Sequence, residues 1–253
     1  MNPHPPVIEL KGVTIRYGNH DVITQADLTI RHGETKVILG PSGVGKSTIL
    51  KAILGLLRPA EGEIYVHGEE ITRLKESQMS RIRTKMAMVF QNGALFDSMS
   101  VGQNVSYRLR ELRLLPASQV DTRVDEVLRF VGLQGAVKLR PAQLSGGMRK
   151  RVAIARALAS NPDIFLFDEP TVGLDPINHY NVEQLMLQLK NRPNTSNIIV
   201  THDIGSASRL AHSIVMLHGG KFIFEGSPEE LAQSKDRRIQ AFLDPSRIAE
   251  IKI

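Results

Sequence analysis

At positions 40–47 the chain of 253 residues carries the segment GPSGVGKS, which restricts its possible folds more than any other feature. This segment fits the pattern G-x-x-x-x-G-K-[ST], a glycine-rich loop whose backbone N–H groups surround phosphate oxygens between a strand and a helix. The flanks fit that context, because Thr35–Leu39 is an apolar run typical of a buried strand and apolar residues recur at helical spacing over 49–57. We expect Arg58 and Pro59 to end this helix. The pattern therefore predicts a phosphate site, with a chance glycine-rich turn as the alternative.

Each residue type in this loop suits a particular contact with a bound nucleotide. The glycines let backbone N–H groups converge on phosphate oxygens, and the helix that follows directs the positive end of its dipole at them. Lys46 is placed to bridge the β- and γ-phosphates of a nucleotide, and Ser47 is placed to bind Mg²⁺. The predicted nucleotide contacts are Gly40, Pro41, Ser42, Gly43, Gly45, Lys46, Ser47 and Thr48.

Two adjacent carboxylates follow a second apolar run. Residues 164–167 read IFLF and lead directly into Asp168 and Glu169. A carboxylate at the carboxyl end of such a strand faces the phosphate site in folds of this kind, where Asp168 would hold Mg²⁺ through a water molecule. Glu169 then suits a general base that orients or deprotonates the attacking water. A strand that merely runs into an acidic turn is the alternative, and the phosphate loop favours the catalytic interpretation.

A third motif, LSGGMRKR at 144–151, joins a Ser-Gly-Gly turn to a basic run. At the start of a helix, Ser145, Gly146 and Gly147 offer N–H donors and a hydroxyl group to an anion. The alternative is a glycine-rich helix cap whose basic residues form a solvated face.

The order of the predicted elements indicates an α/β fold. Alternating apolar and polar residues at 7–11 and 27–31 predict half-buried antiparallel strands, whereas 92–159 shows mainly helical spacing. Strand and helix patterns alternate after that, with a hairpin signal at 218–221 and a capping box at 227–230. This alternation predicts a parallel sheet covered by helices. We expect one domain, 1–253, made of an α/β core with a β-subdomain at 1–91 and 160–226, a helical insertion at 92–159 and a helical tail at 227–253.

Composition narrows the classes of function. The net charge of +6 suits an anionic partner such as a nucleotide, nucleic acid or an acidic membrane surface. The absence of cysteine excludes a disulfide scaffold and Cys-ligated zinc or iron–sulfur sites, and the scarcity of aromatic residues disfavours a stacking single-strand binder. The apolar runs are far shorter than the roughly 20 residues of a spanning helix, and the N-terminus is polar. We therefore expect a soluble, cytoplasmic chain.

Together these motifs resemble the nucleotide-binding subunit of an ABC transporter. The phosphate loop, the 144–148 segment, the two carboxylates, GLDP at 173–176 and THD at 201–203 occur in that family's order over nearly the whole chain. The resemblance implies a P-loop NTPase (RecA-like) core with an antiparallel β-subdomain and an inserted helical subdomain. It also implies hydrolysis of ATP, with Mg²⁺, in a head-to-tail homodimer. Each ATP would lie between the phosphate loop of one chain and Ser145, Gly146 and Gly147 of the other, and hydrolysis would reopen the dimer.

The resemblance implies roles for four further residues. Tyr17 would stack on adenine, and Gln91 would contact Mg²⁺ and the attacking water. Asp175 would couple the two sites, and His202 would touch the γ-phosphate. Each has an ordinary alternative as a turn residue or a strand-end residue. Met148 departs from the glutamine of many relatives, but its side chain is not the implied phosphate contact, so we expect the ATP sandwich to persist.

Two stretches, FQNGALFD at 90–97 and the motif at 144–151, resemble the ATPase of the Mla/Mce lipid-transport group. That group moves phospholipid or related lipid between membranes. The resemblance implies a multi-spanning permease, an MCE-domain lipid-binding protein and a STAS-domain partner in some systems, with this subunit at the cytoplasmic face of a bacterial inner membrane. No nucleic-acid partner is expected. The rival functions are an ABC importer subunit for another small solute and a soluble ABC-type ATPase that acts on nucleic acid.

Three groups of residues keep open interpretations. Ala94, Leu95 and Phe96 form a candidate docking patch for a short helix of the membrane subunit, with local core packing as the alternative. Arginines at 108, 110 and 113 would face lipid headgroups or the permease, or would form a solvated helix face. In the tail, apolar side chains would pack on the core or on a neighbouring subunit; these are Ile239, Phe242 and Leu243.

Overall fold

The computed structural model describes residues 5–244 and residue 246. The chain divides into two compact units. The first contains the residues up to Ile82 and those from Ser196 onward, and the second is Arg83–Thr195. None of the helices in the described residues is both long and apolar enough to cross a lipid bilayer.

The first unit contains a four-stranded antiparallel sheet. Its strands are β1 (Ile8–Tyr17), β2 (His20–Ile30), β4 (Glu61–Val66) and the two-residue β5 (Glu69–Glu70), in the order β2-β1-β4-β5. The predicted alternation at 7–11 and 27–31 is confirmed, because these residues pair antiparallel, with Ile8 opposite Ile30 and Leu10 opposite Leu28. Both residues of each of these two pairs are buried, whereas Glu9 and Thr29 between them are only half-buried.

The same unit contains a group of parallel strands. These are β3 (Thr35–Leu39), β8 (Ser196–Thr201) and β9 (Ser213–His218), with β3 pairing parallel to both others. A hairpin at His218 leads into β10 (Lys221–Gly226), which returns antiparallel to β9, as predicted. Every residue of β3 and β8 is buried, and both strands have an apolar stretch, residues 37–39 in β3 and 198–200 in β8.

The helix after the phosphate loop is shorter than predicted. It is α1, Lys46–Ile53, and it stops before Arg58 and Pro59. Gly55 takes a left-handed φ of 65°, and its N–H bonds to the carbonyl of Ala52 at 2.9 Å. Glycine at this position ends helices because it adopts that conformation without a steric penalty, so the proline has no helix left to stop.

The remaining helices of the chain's first and last parts are short. α2 (Glu76–Thr84) has no counterpart among the predicted elements, because only Met79 and Ile82 are buried and its apolar pattern is weak. After β8 come α7 (Ile204–Leu210), α8 (Pro228–Ala232) and α9 (Arg237–Leu243). Ser227 and Glu230 form the predicted capping box of α8.

The tail is described only in part. Ile239 in α9 is buried within this chain, and Phe242 and Leu243 are half-buried, so packing on the core is confirmed for Ile239. Residues 245 and 247–253 of the predicted tail, and residues 1–4 of the N-terminus, lie outside the described residues.

The second unit combines two parallel strands with helices. β6 (Met86–Val89) and β7 (Ile164–Asp168) pair parallel. The predicted helical stretch contains α3 (Val101–Glu111), α4 (Ala117–Phe130) and α5 (Gly146–Ala159), which pack against one another, and α6 (Pro176–Lys190) follows β7. Short 3-10 turns lie at Gln134–Ala136 and Pro141–Gln143. Gly132, with a φ of 67°, follows α4 as expected.

Candidate functional site

The phosphate loop owes its shape to three glycines. Gly43 and Gly45 have φ angles of 79° and 108°, a region in which other residues are strained. Gly40 is required for a different reason, because a Cβ atom there would lie 2.3 Å from the carbonyl oxygen of Leu217 on β9. The loop thus needs glycine at residues 43 and 45 for its backbone turns, and at residue 40 because the loop approaches the β9 backbone closely.

Lys46 is held across the loop that precedes it. Its side chain is only 5% exposed, and Nζ donates hydrogen bonds of 2.9 Å to the carbonyls of Gly40 and Pro41. Gly45 has no side chain with which to cap α1, and the first turn of that helix contains no acidic residue. The loop, the ammonium group and the helix N-terminus together form a site of positive potential that fits phosphate.

His202 lies at the same sheet edge as the loop. β8 runs parallel to β3, and Thr201 pairs with Leu39. Gly40 and His202 therefore follow the carboxyl ends of neighbouring strands, and the His202 side chain is exposed. Ligands of open α/β sheets bind at this edge.

Tyr17 lies on a hairpin that touches the phosphate loop. It ends β1, pairs with His20 and is 48% exposed. Further along β2, side-chain atoms of Val22 and Ile23 lie 2.9 Å from the position that a Cβ at residue 45 would occupy. An exposed aromatic ring on this hairpin is available to a base whose phosphates occupy the loop.

The second unit holds the carboxylates. Val89 of β6 pairs with Phe167 of β7, so Gln91 and the Asp168-Glu169 pair follow the carboxyl ends of two paired strands. Both carboxylates are buried, whereas Gln91 is exposed. Glu169 has a φ of 46°, which is unusual for a residue with a side chain, and strain of this kind clusters at active sites.

The segments of Gln91 and Glu169 are joined by Lys150, which the sequence motifs did not identify as a site residue. Lys150 of α5 is 6% exposed, and its Nζ donates hydrogen bonds to the backbone carbonyl of Gln91 and, at 3.2 Å, to that of Glu169. Burial lowers the pKa of Lys150, while the nearby carboxylates Asp168 and Glu169 oppose this shift. Helical spacing could have predicted that Lys150 is buried, since it lies one turn before the buried Ile154 on the same helix face.

The solvated-face interpretation fits Arg149, which is exposed, but it is wrong for Lys150, which is buried, and only partly fits the half-buried Arg151. Arg149 donates to the carbonyl of Leu144 at 2.8 Å and Arg151 to that of Val131 at 3.2 Å. These cations bind backbone carbonyls that the helical fold would otherwise leave without partners.

The arginines at 108, 110 and 113 also differ from one another in their burial and in their partners. Arg108 donates to the carbonyls of Met86, at 2.7 Å, and Arg83, and burial lowers the pKa of Arg108. Arg110 instead pairs with Asp121 at 2.8 Å in an exposed position, and Arg113 is exposed. Arg108 therefore fits neither a lipid-facing nor a solvated role.

The Ser-Gly-Gly turn begins α5 as predicted. Ser145 is the N-cap, and its hydroxyl oxygen accepts a hydrogen bond of 3.2 Å from the N–H of Met148. Ser145 and Gly146 are exposed, whereas Gly147 is buried. The first N–H groups of a helix have no carbonyl partner within the helix, so they are suited to bind an anion. The Met148 backbone takes part in this cap, which its change from glutamine leaves unaffected.

Asp175 caps α6 from the end of the GLDP segment. Its Oδ1 accepts hydrogen bonds of 3.1 Å from the N–H groups of Ile177 and Asn178. The side-chain amide of Asn178 also donates to Asp175 Oδ2 at 2.5 Å, and this bond holds the pKa of Asp175 below its usual range. A Cβ at residue 147 would lie 2.1 Å from Asn178 Oδ1, so Asn178 links Asp175 to the Ser-Gly-Gly turn.

This contact predicts a steric requirement at residue 147. We expect Gly147→Ala to lower the free energy of unfolding by about 1–3 kcal/mol, because the added methyl group overlaps Asn178. Gly146→Ala is the matched control, since its Cβ would meet nothing closer than a Leu174 carbon at 3.8 Å. Urea unfolding of both variants checks this, and equal midpoints would contradict it.

The chain matches known proteins over most of its length. The family model for the ABC transporter matches residues 23–172, more than half of the chain. The intermembrane phospholipid transport system ATP-binding protein MlaF of Haemophilus influenzae is 40% identical over 237 residues, covering 94% of this chain and 90% of MlaF. The mkl protein of Mycobacterium leprae, named as a ribonucleotide transport ATP-binding protein, is 38% identical over 98% of this chain and 72% of its own length.

Solved structures agree in fold. A dimeric ATP-binding cassette in a post-hydrolysis state with ADP and phosphate is 34% identical, with a TM-score of 0.81, covering 87% of this chain and 98% of that one. The cbiO1 protein of Clostridium perfringens, part of the cbiONQ transporter complex, is 29% identical, with a TM-score of 0.83 over 97% and 98% of the two chains. The predicted α/β fold with its antiparallel β-subdomain is thereby confirmed. This chain belongs to the ABC transporter family, as one of its ATPase cassettes.

Proposed function

We propose that this cassette is the ATP-hydrolysing subunit of a membrane transporter that moves phospholipid or a related lipid between membranes. The observation that carries the proposal is the 40% identity to a phospholipid-transport ATP-binding protein across 94% of this chain. The mkl likeness supports a second cargo, a ribonucleotide, but the chain covers only 72% of that relative.

The first unit supplies the contacts to ATP. Phosphate oxygens enter the loop that Gly40, Gly43 and Gly45 shape, and Lys46 moves from its loop carbonyls to the β- and γ-phosphates. Pro41, Ser42, Ser47 and Thr48 complete the loop and the first turn of α1. Tyr17 stacks on the adenine, and His202 contacts the γ-phosphate from the neighbouring strand.

Each of the residues proposed to hold Mg²⁺ carries an oxygen donor. Ser47, Gln91 and Asp168 offer hydroxyl, amide and carboxylate oxygens, with Asp168 acting through water, and oxygen ligands are those that Mg²⁺ prefers. No cluster of three or more His, Asp or Glu side chains suited to a metal occurs in the part of the chain that the structure describes. This suits an ion that is held mainly through nucleotide phosphates. When bound, it neutralises charge on the β- and γ-phosphate oxygens.

The second unit supplies the base. Glu169 accepts a proton from, or orients, the water that attacks the γ-phosphate, and Gln91 binds that water from the other strand. Positioning and charge stabilisation provide most of the acceleration in phosphoryl transfer. The strained backbone and burial of Glu169 support this role.

A second copy of the chain completes each site. Ser145, Gly146 and Gly147 at the start of α5 bind the ATP of the partner copy, and Asp175 couples the two sites through its cap and Asn178. The likeness to a cassette described as dimeric supports this arrangement. ATP binding closes the homodimer, and hydrolysis reopens it.

The membrane partner docks on the segment that follows Gln91 in the chain. Phe96 is 41% exposed and packs against the exposed Tyr107 with ring centroids 4.8 Å apart; we call these two residues the aromatic patch. Tyr107 also lines a groove of about 920 Å³ with Arg110, Asp121 and Lys138. A helix from a multi-spanning permease fits this apolar-and-charged surface. An MCE-domain protein and a STAS-domain protein are further proposed partners, and the assembly lies at the cytoplasmic face of a bacterial inner membrane.

Docking at the aromatic patch predicts a selective loss of binding. We expect Phe96→Asp to reduce co-purification with the permease at least about tenfold, because a buried unpaired charge would remain in the interface. Leu56→Asp is the control, since Leu56 is exposed and lies in the first unit. Pull-down from detergent-solubilised membranes measures this, and equal recovery of the permease with both variants would contradict docking at Phe96.

The cargo is tested with the whole assembly. The chain is purified with its permease, reconstituted into vesicles that contain a fluorescent phosphatidylethanolamine, and supplied with ATP or a non-hydrolysable analogue. ATP-dependent transfer of the lipid to acceptor vesicles supports the proposal. ATP-dependent uptake of a radiolabelled ribonucleotide without lipid transfer supports the second cargo. Salt-dependent binding of nucleic acid by the purified chain would revive the nucleic-acid alternative.

A further inference from the structure

Lys150 joins two segments whose side chains the ATPase reaction requires. The pairing of β6 with β7 ends at Val89 and Phe167, and β7 itself ends one residue later, at Asp168. Gln91 enters a turn, and Glu169 takes a left-handed backbone conformation. The ammonium group of Lys150 binds one carbonyl from each segment, just past the end of the strand pairing.

This bridge differs from the contacts of the two neighbouring arginines in α5. Arg149 and Arg151 bind the carbonyls of Leu144 and Val131, which belong to neither segment. Burial of an ammonium group is costly unless hydrogen bonds or opposite charge compensate for it. Here both are present, because two carbonyls accept bonds from Lys150, and Asp168 and Glu169 stabilise its charge.

We propose that Lys150 is a positioning residue for ATP hydrolysis, which sets the backbone separation between Gln91 and Glu169 so that both side chains meet the same attacking water. The inference rests on the proposed roles of Gln91 and Glu169. Because Lys150 belongs to the helix that begins with the Ser-Gly-Gly turn, it also ties that turn to both segments within one chain. In this role Lys150 acts through the two carbonyls that it binds, not on the nucleotide or the water.

The test separates turnover from binding. Lys150→Met keeps the length of the side chain and removes its donors. In the purified full chain we expect kcat to fall about 10- to 100-fold, since small misplacements of reacting groups have effects of this size. KM for ATP and the Kd for a fluorescent ATP analogue should change less than about threefold, because the phosphate contacts are on other residues. Lys150→Arg retains charge and donors and should recover most of the lost kcat.

Arg151→Met is the matched control for stability. It removes a cation from the next position of the same helix, where the accepting carbonyl is that of Val131. If Lys150 has only a structural role, both methionine variants will lower Tm alike and leave kcat per folded molecule unchanged, which would overturn the inference. Should Lys150→Met fail to fold, Lys150→Gln is judged by the same split between kcat and Kd.

Wild type and Glu169→Gln, measured in parallel, keep the two proposals apart. If Glu169→Gln hydrolyses ATP as fast as wild type, the catalytic assignment of Glu169 fails, and the Lys150 inference fails with it. If Glu169→Gln is inactive while Lys150→Met turns over normally, only the Lys150 inference is overturned. Inactivity of Glu169→Gln with a selective kcat loss in Lys150→Met supports both.

Discussion

Glu169→Gln is expected to bind ATP with near wild-type affinity while losing steady-state hydrolysis by about 10²- to 10⁴-fold, the range typical of a lost general base. The amide fits the same space and keeps hydrogen-bonding atoms, but it does not accept a proton from water. In the proposed cycle ATP binding closes the dimer and hydrolysis reopens it, so ATP should hold this variant as a closed dimer. Phosphate release and size-exclusion chromatography with ATP measure both effects.

Glu111→Gln is the control for this variant, because Glu111 is an exposed glutamate at the end of α3. It should hydrolyse ATP at the wild-type rate and return to monomers as ATP is consumed. Wild-type turnover in Glu169→Gln would show that Glu169 is not the general base. Loss of nucleotide binding would show that the Glu169 carboxylate contributes to ATP affinity rather than to the hydrolysis step.

Lys46→Ala is expected to lose both nucleotide affinity and hydrolysis. The substitution removes the cation that binds the phosphates and also two 2.9 Å hydrogen bonds that close the loop onto Gly40 and Pro41. Charge-assisted bonds of this kind contribute about 1.5–3 kcal/mol each, so Kd should rise at least tenfold. Titration with a fluorescent ATP analogue measures the affinity, and phosphate release measures the turnover.

Lys51→Ala is the matched control for Lys46, since both lysines belong to α1 and Lys51 is exposed. It should leave affinity and turnover unchanged, which separates the phosphate contact from a general effect of charge. Unchanged affinity in Lys46→Ala would count against its phosphate role. Equal losses in the two variants would indicate that net charge, rather than position, governs binding.

Sequence reasoning was most accurate where the chemistry lies in consecutive residues. The glycines, the lysine and the first helical turn of the phosphate loop have fixed offsets, so a short pattern predicts both their conformation and their ligand. The capping box at Ser227 and the hairpin at His218 are local in the same sense. It was less accurate at the end of α1, where Gly55 takes precedence over Pro59.

The sequence by itself therefore determined the phosphate loop, the carboxylates at the end of β7 and the α/β class. The tertiary structure alone decided the partners of the basic residues. Lys150 binds a carbonyl 59 positions away in the chain, and Arg156 binds those of Gly93 and Ala94. No spacing rule encodes such pairs, because a buried cation takes whichever carbonyls the packed helices leave without a partner, and only the assembled fold specifies which those are.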